Sequence, residues 1–196
     1  MTEQTWNWRS EWRGGGSMAK PGARLVIVCE DSVHESFLLR FAKEHLGVSG
    51  RDVRSRKAPR GGGCGAQYVQ RNFVGELEQL RKRRVRTALV AITDDDKQGR
   101  RALILKACGN AGLPPPGPKE PVLLLVPERA LVSWLAYARG DDDEGREPRV
   151  GEAREWASLL VEMCDAGELR EPAPSSLREA CEDYQRFREV WNTLMS

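Results

Sequence analysis

The sequence has no apolar run long enough to cross a membrane. A spanning helix needs about 18 to 20 consecutive apolar residues, and no stretch of the 196-residue chain has that character. A charged segment followed by an apolar one, which would mark a secretory signal, is also missing at the start of the chain. We therefore expect a soluble, cytoplasmic protein without a membrane partner.

Neither net charge nor cysteine content points to a specialised class of protein. The 31 Lys and Arg residues nearly balance the 29 Asp and Glu residues, so overall charge does not predict a protein that coats a polyanion. The five cysteines form no CxxC pair, and an odd number favours reduced thiols over a disulfide framework. A chain of this length can build a substantial core without covalent links.

What the sequence does have is a regular alternation of apolar runs and amphipathic stretches. This alternation predicts βαβ units, and hence an α/β fold with a mostly parallel sheet flanked by helices. Two further helical stretches without strands predict a C-terminal helical appendage packed on that domain. The predicted strands are 24–29, 52–58, 87–93 and 122–126; the predicted helices open near 32 and cover 66–83, 97–111, 129–139, 151–164 and 175–195. Capping-box spacing further predicts that Ser32 with Glu35, and Ser176 with Glu179, begin two of these helices.

The first seventeen residues differ in composition from the rest. Trp6, Trp8 and Trp12 are half of the six tryptophans, and Gly-Gly-Gly-Ser then precedes Met18. This pattern is typical of a flexible linker that joins a short peptide to a start at Met18, with a natural extension as the alternative. The spacing of Trp8 and Trp12 favours one face of a short helix that docks into a groove. We divide the chain into a peptide with linker (1–17), an α/β domain (18–140) and a helical appendage (141–196).

Acidic clusters follow two of the most apolar strands. Glu30-Asp31 comes directly after the first strand, and Asp94-Asp95-Asp96 follows 87–93. Ligand sites in parallel sheets form at the carboxyl ends of the strands, so these carboxylates are expected to converge. Packed carboxylates repel one another unless a hard cation such as Mg²⁺ neutralises them. The sequence therefore predicts a metal site, with two helix starts enriched in acids as the alternative.

A glycine-rich segment and several cations are candidates for phosphate contacts. The segment 61–65, with Arg60 before it and Gly62 and Gly63 within it, opens a predicted helix. Backbone N–H groups in such a segment can surround a phosphate. It matches no Walker or dinucleotide motif, and an ordinary flexible loop is the equal alternative. Arg100 is the other candidate phosphate contact, because cations beside the site would add affinity for nucleic acid.

The order of these motifs resembles the TOPRIM (topoisomerase-primase) family, over about residues 24–139. The resemblance rests on Cys-Glu-Asp-Ser-Val-His-Glu-Ser-Phe-Leu (29–38), the glycines of 61–65, Ile-Thr-Asp-Asp-Asp-Lys (92–97), Leu-Leu-Val-Pro-Glu-Arg (124–129) and Trp134-Leu135. The sequence is most similar to small bacterial TOPRIM-like proteins related to OLD-type nucleases, many of them tied to phage defence. The resemblance implies that Glu30, Asp94 and Asp96 hold Mg²⁺ or Mn²⁺ and catalyse cleavage of nucleic acid. Asp95 points the other way if the strand pleat continues.

The chain departs from the family pattern at two places. His34 stands where such nucleases often carry an acid four residues after the first glutamate, and Val132-Ser133 stands where a glutamate often precedes the tryptophan. A histidine in the first turn of a helix is more often a surface residue than a ligand. The alternative is therefore a catalytically inactive TOPRIM-like subunit that binds a partner protein, for example in a defence complex, through the surface that the N-terminal peptide engages.

Overall fold

A computed structural model describes residues 24–59, 64–82, 86–140, 150–167 and 169–196. Within those ranges the chain alternates between strands and helices and ends in two further helices. The elements are β1 (Arg24–Cys29), α1 (Ser32–His45), β2 (Val53–Lys57), α2 (Gly65–Lys82), β3 (Thr87–Ile92), α3 (Arg100–Asn110), β4 (Val122–Leu125), α4 (Leu131–Arg139), α5 (Ala153–Asp165) and α6 (Ser175–Met195). This confirms the predicted α/β fold.

The four described strands form one parallel sheet in the order β2-β1-β3-β4. β1 and β3 are central, and their residues from Leu25 to Cys29 and from Thr87 to Ile92 are all buried. A strand covered on both faces needs apolar residues at every position, which explains the uninterrupted apolar runs. β2 lies at an edge and is correspondingly polar.

Helices cover both faces of the sheet, because successive side chains of a strand point to opposite sides. Leu25, Ile27 and Cys29 of β1 face a core built with α1, α4, α5 and α6. Val26 and Val28 face a second core built with α2 and α3. The C-terminal helices therefore pack on the α/β domain, and Trp156 and Phe187 are buried there. No helix in the described ranges is long and apolar enough to cross a membrane.

The predicted starts of α1 and α6 are confirmed, but two predicted caps and the predicted start of α3 are wrong. Asp31, rather than Ser32, caps α1: its Oδ1 accepts hydrogen bonds from the backbone N–H groups of Val33 and His34, both at 2.8 Å. α6 begins after Pro174 without a side-chain cap, since the Ser176 hydroxyl accepts a hydrogen bond from Trp134 Nε1 instead. α3 starts at residue 100 rather than 97, because the preceding residues form a turn.

The expectation that all cysteines are reduced is also wrong. Cys164 of α5 and Cys181 of α6 form a disulfide, with their Cα atoms 4.7 Å apart. The other three, Cys29, Cys64 and Cys108, are free. The pairing depends on the packing of α5 against α6, which no local spacing in the sequence records.

Candidate functional site

The candidate site lies at the carboxyl ends of β1 and β3. The chain leaves β1 towards β2 on one side and returns to β3 on the other. The connecting helices diverge at such a switch point, which opens a crevice where α/β sheets bind ligands. Glu30 directly follows β1, and Asp94 lies two residues after β3. The fold therefore brings Glu30 and Asp94, one acid from each cluster, next to each other.

Glu30 is held against the end of β3 by two hydrogen bonds. Its Oε1 accepts one from the hydroxyl of Thr93 and one from the backbone N–H of Asp94, the latter at 3.0 Å. Burial raises the pKa of Glu30; the Thr93 hydrogen bond opposes the rise, and the nearby charge of Asp94 adds to it. Glu30 therefore sits beside a like charge in a partly desolvated place, where a cation would stabilise its ionised form.

His34 also belongs to this site, which the sequence analysis did not predict. It was expected at the surface, but only 3% of the residue is exposed, and its Nε2 lies 3.2 Å from Oδ1 of Asp94. Burial is the largest influence and lowers the pKa of His34, but the contact with Asp94 and the charges of Asp31 and Glu30 together raise it above its usual value. The sequence signals were its place in the first turn of a helix that follows a strand-end acid, and its position four residues after Glu30, where the resemblance places an acid.

Several polar atoms of this cluster have no hydrogen-bond partner among the described residues. They include Nδ1 of His34 and Oδ1 of Asp94, both buried. The contact of this Oδ1 with Nε2 of His34, at 3.2 Å, is an ion pair when the imidazole is protonated. Unsatisfied buried polar atoms are uncommon in proteins and often mark a binding site.

Gly65 lies against the side chain of Glu30. A Cβ atom at this first residue of α2 would lie 2.8 Å from Oε2 and 3.0 Å from Cβ of Glu30. Only glycine allows this approach without moving the carboxylate. The amino end of a helix, which favours negative charge, therefore lies against Glu30.

The other two acids of the second cluster lie differently. Asp95 accepts hydrogen bonds from the backbone N–H groups of Gly99 and Arg100 and so caps α3. Asp96 is exposed, with φ of 47°. No described contact joins Asp96 to Glu30, Asp94 or His34. The strand pleat ends before these residues, so alternation along the strand does not place them.

Of the predicted phosphate contacts, the structure describes Arg100. It lies in the first turn of α3, and its Nε is buried without a hydrogen-bond partner in the described part of the chain. Arg60, Gly62 and Gly63 lie outside the described residues, as do Trp6, Trp8 and Trp12.

Two kinds of finding bear on identity. Among the described residues, no group of three or more His, Cys, Asp or Glu side chains is arranged to hold a metal ion. In searches of known proteins, no family model, curated protein or solved structure matches the chain. The resemblance to TOPRIM proteins stays a prediction, and the function has to be argued from the site itself.

Proposed function

We propose that the protein is a Mg²⁺- or Mn²⁺-dependent nuclease or nuclease-like phosphoryl-transfer protein that acts on nucleic acid in the cytoplasm. The observation that carries this proposal is the pairing of Glu30 and Asp94 at the switch point of the sheet. Two carboxylates are enough to bind Mg²⁺, because this ion keeps several of its waters and takes further ligands from a substrate phosphate. As the resemblance implies, we place the activity in bacterial phage defence.

The side chains divide the work as follows. Asp94 and Glu30 supply carboxylate oxygens to the cation, which when bound polarises a phosphodiester and lowers the pKa of a water. Glu30, whose pKa is already raised by burial, is also suited to accept or return a proton. Arg100 has a buried donor without a partner in the described residues and contacts a phosphate oxygen. Asp96 remains the third candidate ligand, as the resemblance implies, although it is exposed.

The first test is cleavage of plasmid DNA, linear DNA and RNA with added Mg²⁺ or Mn²⁺. We expect Asp94→Ala to fall to background and Glu30→Gln to lose roughly 100-fold or more in rate. Glu78→Gln is the matched control, because Glu78 is an exposed acid of α2 paired with Lys82, and it should keep full activity. Activity that persists in Asp94→Ala would place the chemistry elsewhere.

The alternative is an inactive TOPRIM-like subunit that binds a partner protein. It is favoured by the lack of a group of three metal ligands among the described residues and by Val132 and Ser133 at the place of an expected acid. Calorimetry separates the two functions: Mg²⁺ or Mn²⁺ binding that is lost in Glu30→Gln supports the phosphoryl-transfer centre. Wild-type protein that binds neither ion supports the subunit.

A further inference from the structure

We propose that His34 is a metal ligand, and that the centre it forms with Asp94 takes a first-row transition-metal ion such as Mn²⁺ in preference to Mg²⁺. The inference rests on the proposed function, because it assumes a cation at the strand ends. It goes further by adding an imidazole nitrogen to the expected oxygen ligands. This additional ligand determines which class of metal ion the centre prefers.

The first argument is the spacing of two donor atoms. Neighbouring ligands bound about 2.1 Å from one ion at right angles are roughly 3 Å apart. Nε2 of His34 and Oδ1 of Asp94 are 3.2 Å apart. Oδ1 is buried and has no other hydrogen-bond partner among the described residues. The separation of the two atoms therefore matches that of two neighbouring ligands of one ion.

The second argument is the surroundings of the other ring nitrogen. Metal-binding histidines usually direct their second nitrogen towards a carboxylate or carbonyl, which selects the tautomer and orients the ring. Nδ1 of His34 lies 3.8 Å from Oδ1 of Asp31. Asp31 is itself held by its two capping hydrogen bonds at the start of α1. When a cation replaces the proton at Nε2, the neutral ring keeps its proton on Nδ1, and the nearby charge of Asp31 stabilises it there.

The third argument is chemical preference. Mg²⁺ favours oxygen ligands throughout, whereas affinity for an imidazole nitrogen rises along the first-row divalent ions from Mn²⁺ to Cu²⁺. A site with one nitrogen beside carboxylates therefore discriminates against Mg²⁺ more than a site built of carboxylates alone. Glu30 remains beside the centre as a further oxygen ligand, since its Oε2 takes part in no hydrogen bond within the described residues and lies next to Gly65.

The test uses Mn²⁺ as the probe and pulsed electron paramagnetic resonance as the readout. The chain has two histidines, His34 and His45, so the protein must be prepared without a polyhistidine tag. We expect nitrogen hyperfine coupling to bound Mn²⁺ that changes from the ¹⁴N to the ¹⁵N pattern when only histidine is labelled. His45→Gln is the matched control, because His45 lies at the opposite end of the same helix; it should keep the coupling.

Two variants complete the test. We expect His34→Gln to weaken Mn²⁺ binding by roughly 10- to 100-fold and to change Mg²⁺ binding much less. Asp94→Asn should remove the Mn²⁺ signal. In wild type, about a tenfold excess of Mg²⁺ should leave most of the Mn²⁺ bound.

The possible failures are distinguishable. Bound Mn²⁺ that depends on Asp94 but shows no histidine coupling overturns the role of His34 and leaves the proposed function standing; the contact with Asp94 is then an ordinary ion pair. Histidine coupling without cleavage of any nucleic acid supports the centre and contradicts the nuclease. Wild-type protein that binds Mg²⁺ but no Mn²⁺ overturns this inference alone, and protein that binds neither ion overturns both.

Discussion

At the scale of single residues, the five cysteines are of three kinds: buried and free, exposed and free, or joined in a disulfide. Cys29 and Cys108 are buried in the two cores, and desolvation raises the pKa of both thiols. Cys164 and Cys181 are joined in the disulfide. Cys64, the residue before α2, is exposed and free. Because the thiolate is the reactive form, the three kinds should differ in how fast they react.

Thiol titration checks this assignment. With Ellman's reagent we expect one fast-reacting thiol in the native protein, three after unfolding without reductant, and five after reduction. Cys64→Ser should abolish the fast phase. Five thiols in the unfolded, unreduced protein would contradict the disulfide.

A second residue-scale feature is the pairing of Arg81 with Glu120. Nε and Nη2 of Arg81 donate to the two carboxylate oxygens, both at 2.7 Å. The hydrogen bond from Arg81 lowers the pKa of Glu120 below its usual value of 4.5, although burial opposes the shift. Because the folded pKa is below the unfolded one, the pair stabilises the fold above pH 4.5, and this stabilisation is lost as pH falls through the folded pKa.

The predicted consequence concerns Glu120→Gln. We expect it to lower the free energy of unfolding by about 1 kcal/mol at neutral pH and to cost little under acid conditions, where the carboxyl is protonated anyway. Urea unfolding at several pH values measures both. Glu78→Gln, which removes an exposed ion pair, should cost less than about 0.5 kcal/mol at any pH. Equal losses in the two variants at neutral pH would contradict the pairing.

At the scale of elements, α2 contains two glycines with opposite surroundings. Gly65 lies against Glu30, whereas a Cβ at Gly75 would meet no atom within 4 Å. The first glycine is needed for the approach of the helix to the site. The second only lowers the helix propensity.

Alanine at these two positions should therefore have different effects on stability and on Mn²⁺ binding. Gly75→Ala should stabilise the protein by about 0.5 to 1 kcal/mol and leave Mn²⁺ binding unchanged. Gly65→Ala should push Glu30 away from Thr93 and the Asp94 amide and weaken Mn²⁺ binding, while circular dichroism shows an intact fold. Unchanged Mn²⁺ binding in Gly65→Ala would separate Glu30 from the metal centre.

At the scale of the whole molecule, α6 is joined to the sheet domain by charge as well as by apolar packing. Arg101 of α3 donates to the carbonyl oxygen of Leu124 at 3.1 Å and also pairs with Asp183, which is buried on α6. The C-terminal helices therefore belong to the same folded unit as β4. The residues of the N-terminal peptide lie outside the described ranges, so its docking stays a prediction.

The predicted role of that peptide is tested by deleting residues 1–17. If Trp6, Trp8 and Trp12 fill an apolar groove, the deletion should lower Tm, since each buried ring contributes on the order of a few kcal/mol. The isolated peptide should then bind the truncated protein in trans. An unchanged Tm with no measurable peptide binding would contradict the docking hypothesis.

The sequence by itself determined the strands, their parallel arrangement and the position of Glu30 and Asp94 at their ends. These features follow from local patterns: an unbroken apolar run such as Leu25–Cys29 suits only a strand buried on both faces, and the predicted limits of β1 agree with the structure. Parallel connection then places both strand ends at one edge of the sheet.

The tertiary structure alone decided the burial of His34 against Asp94, the exposure of Asp96, and the bond between Cys164 and Cys181. Each depends on atoms far apart along the chain. A first-turn histidine has the same local pattern whether it faces water or a neighbouring strand end, and only the pairing of β1 with β3 selects the buried position. Such contacts are set by packing geometry, which local propensity and spacing do not encode.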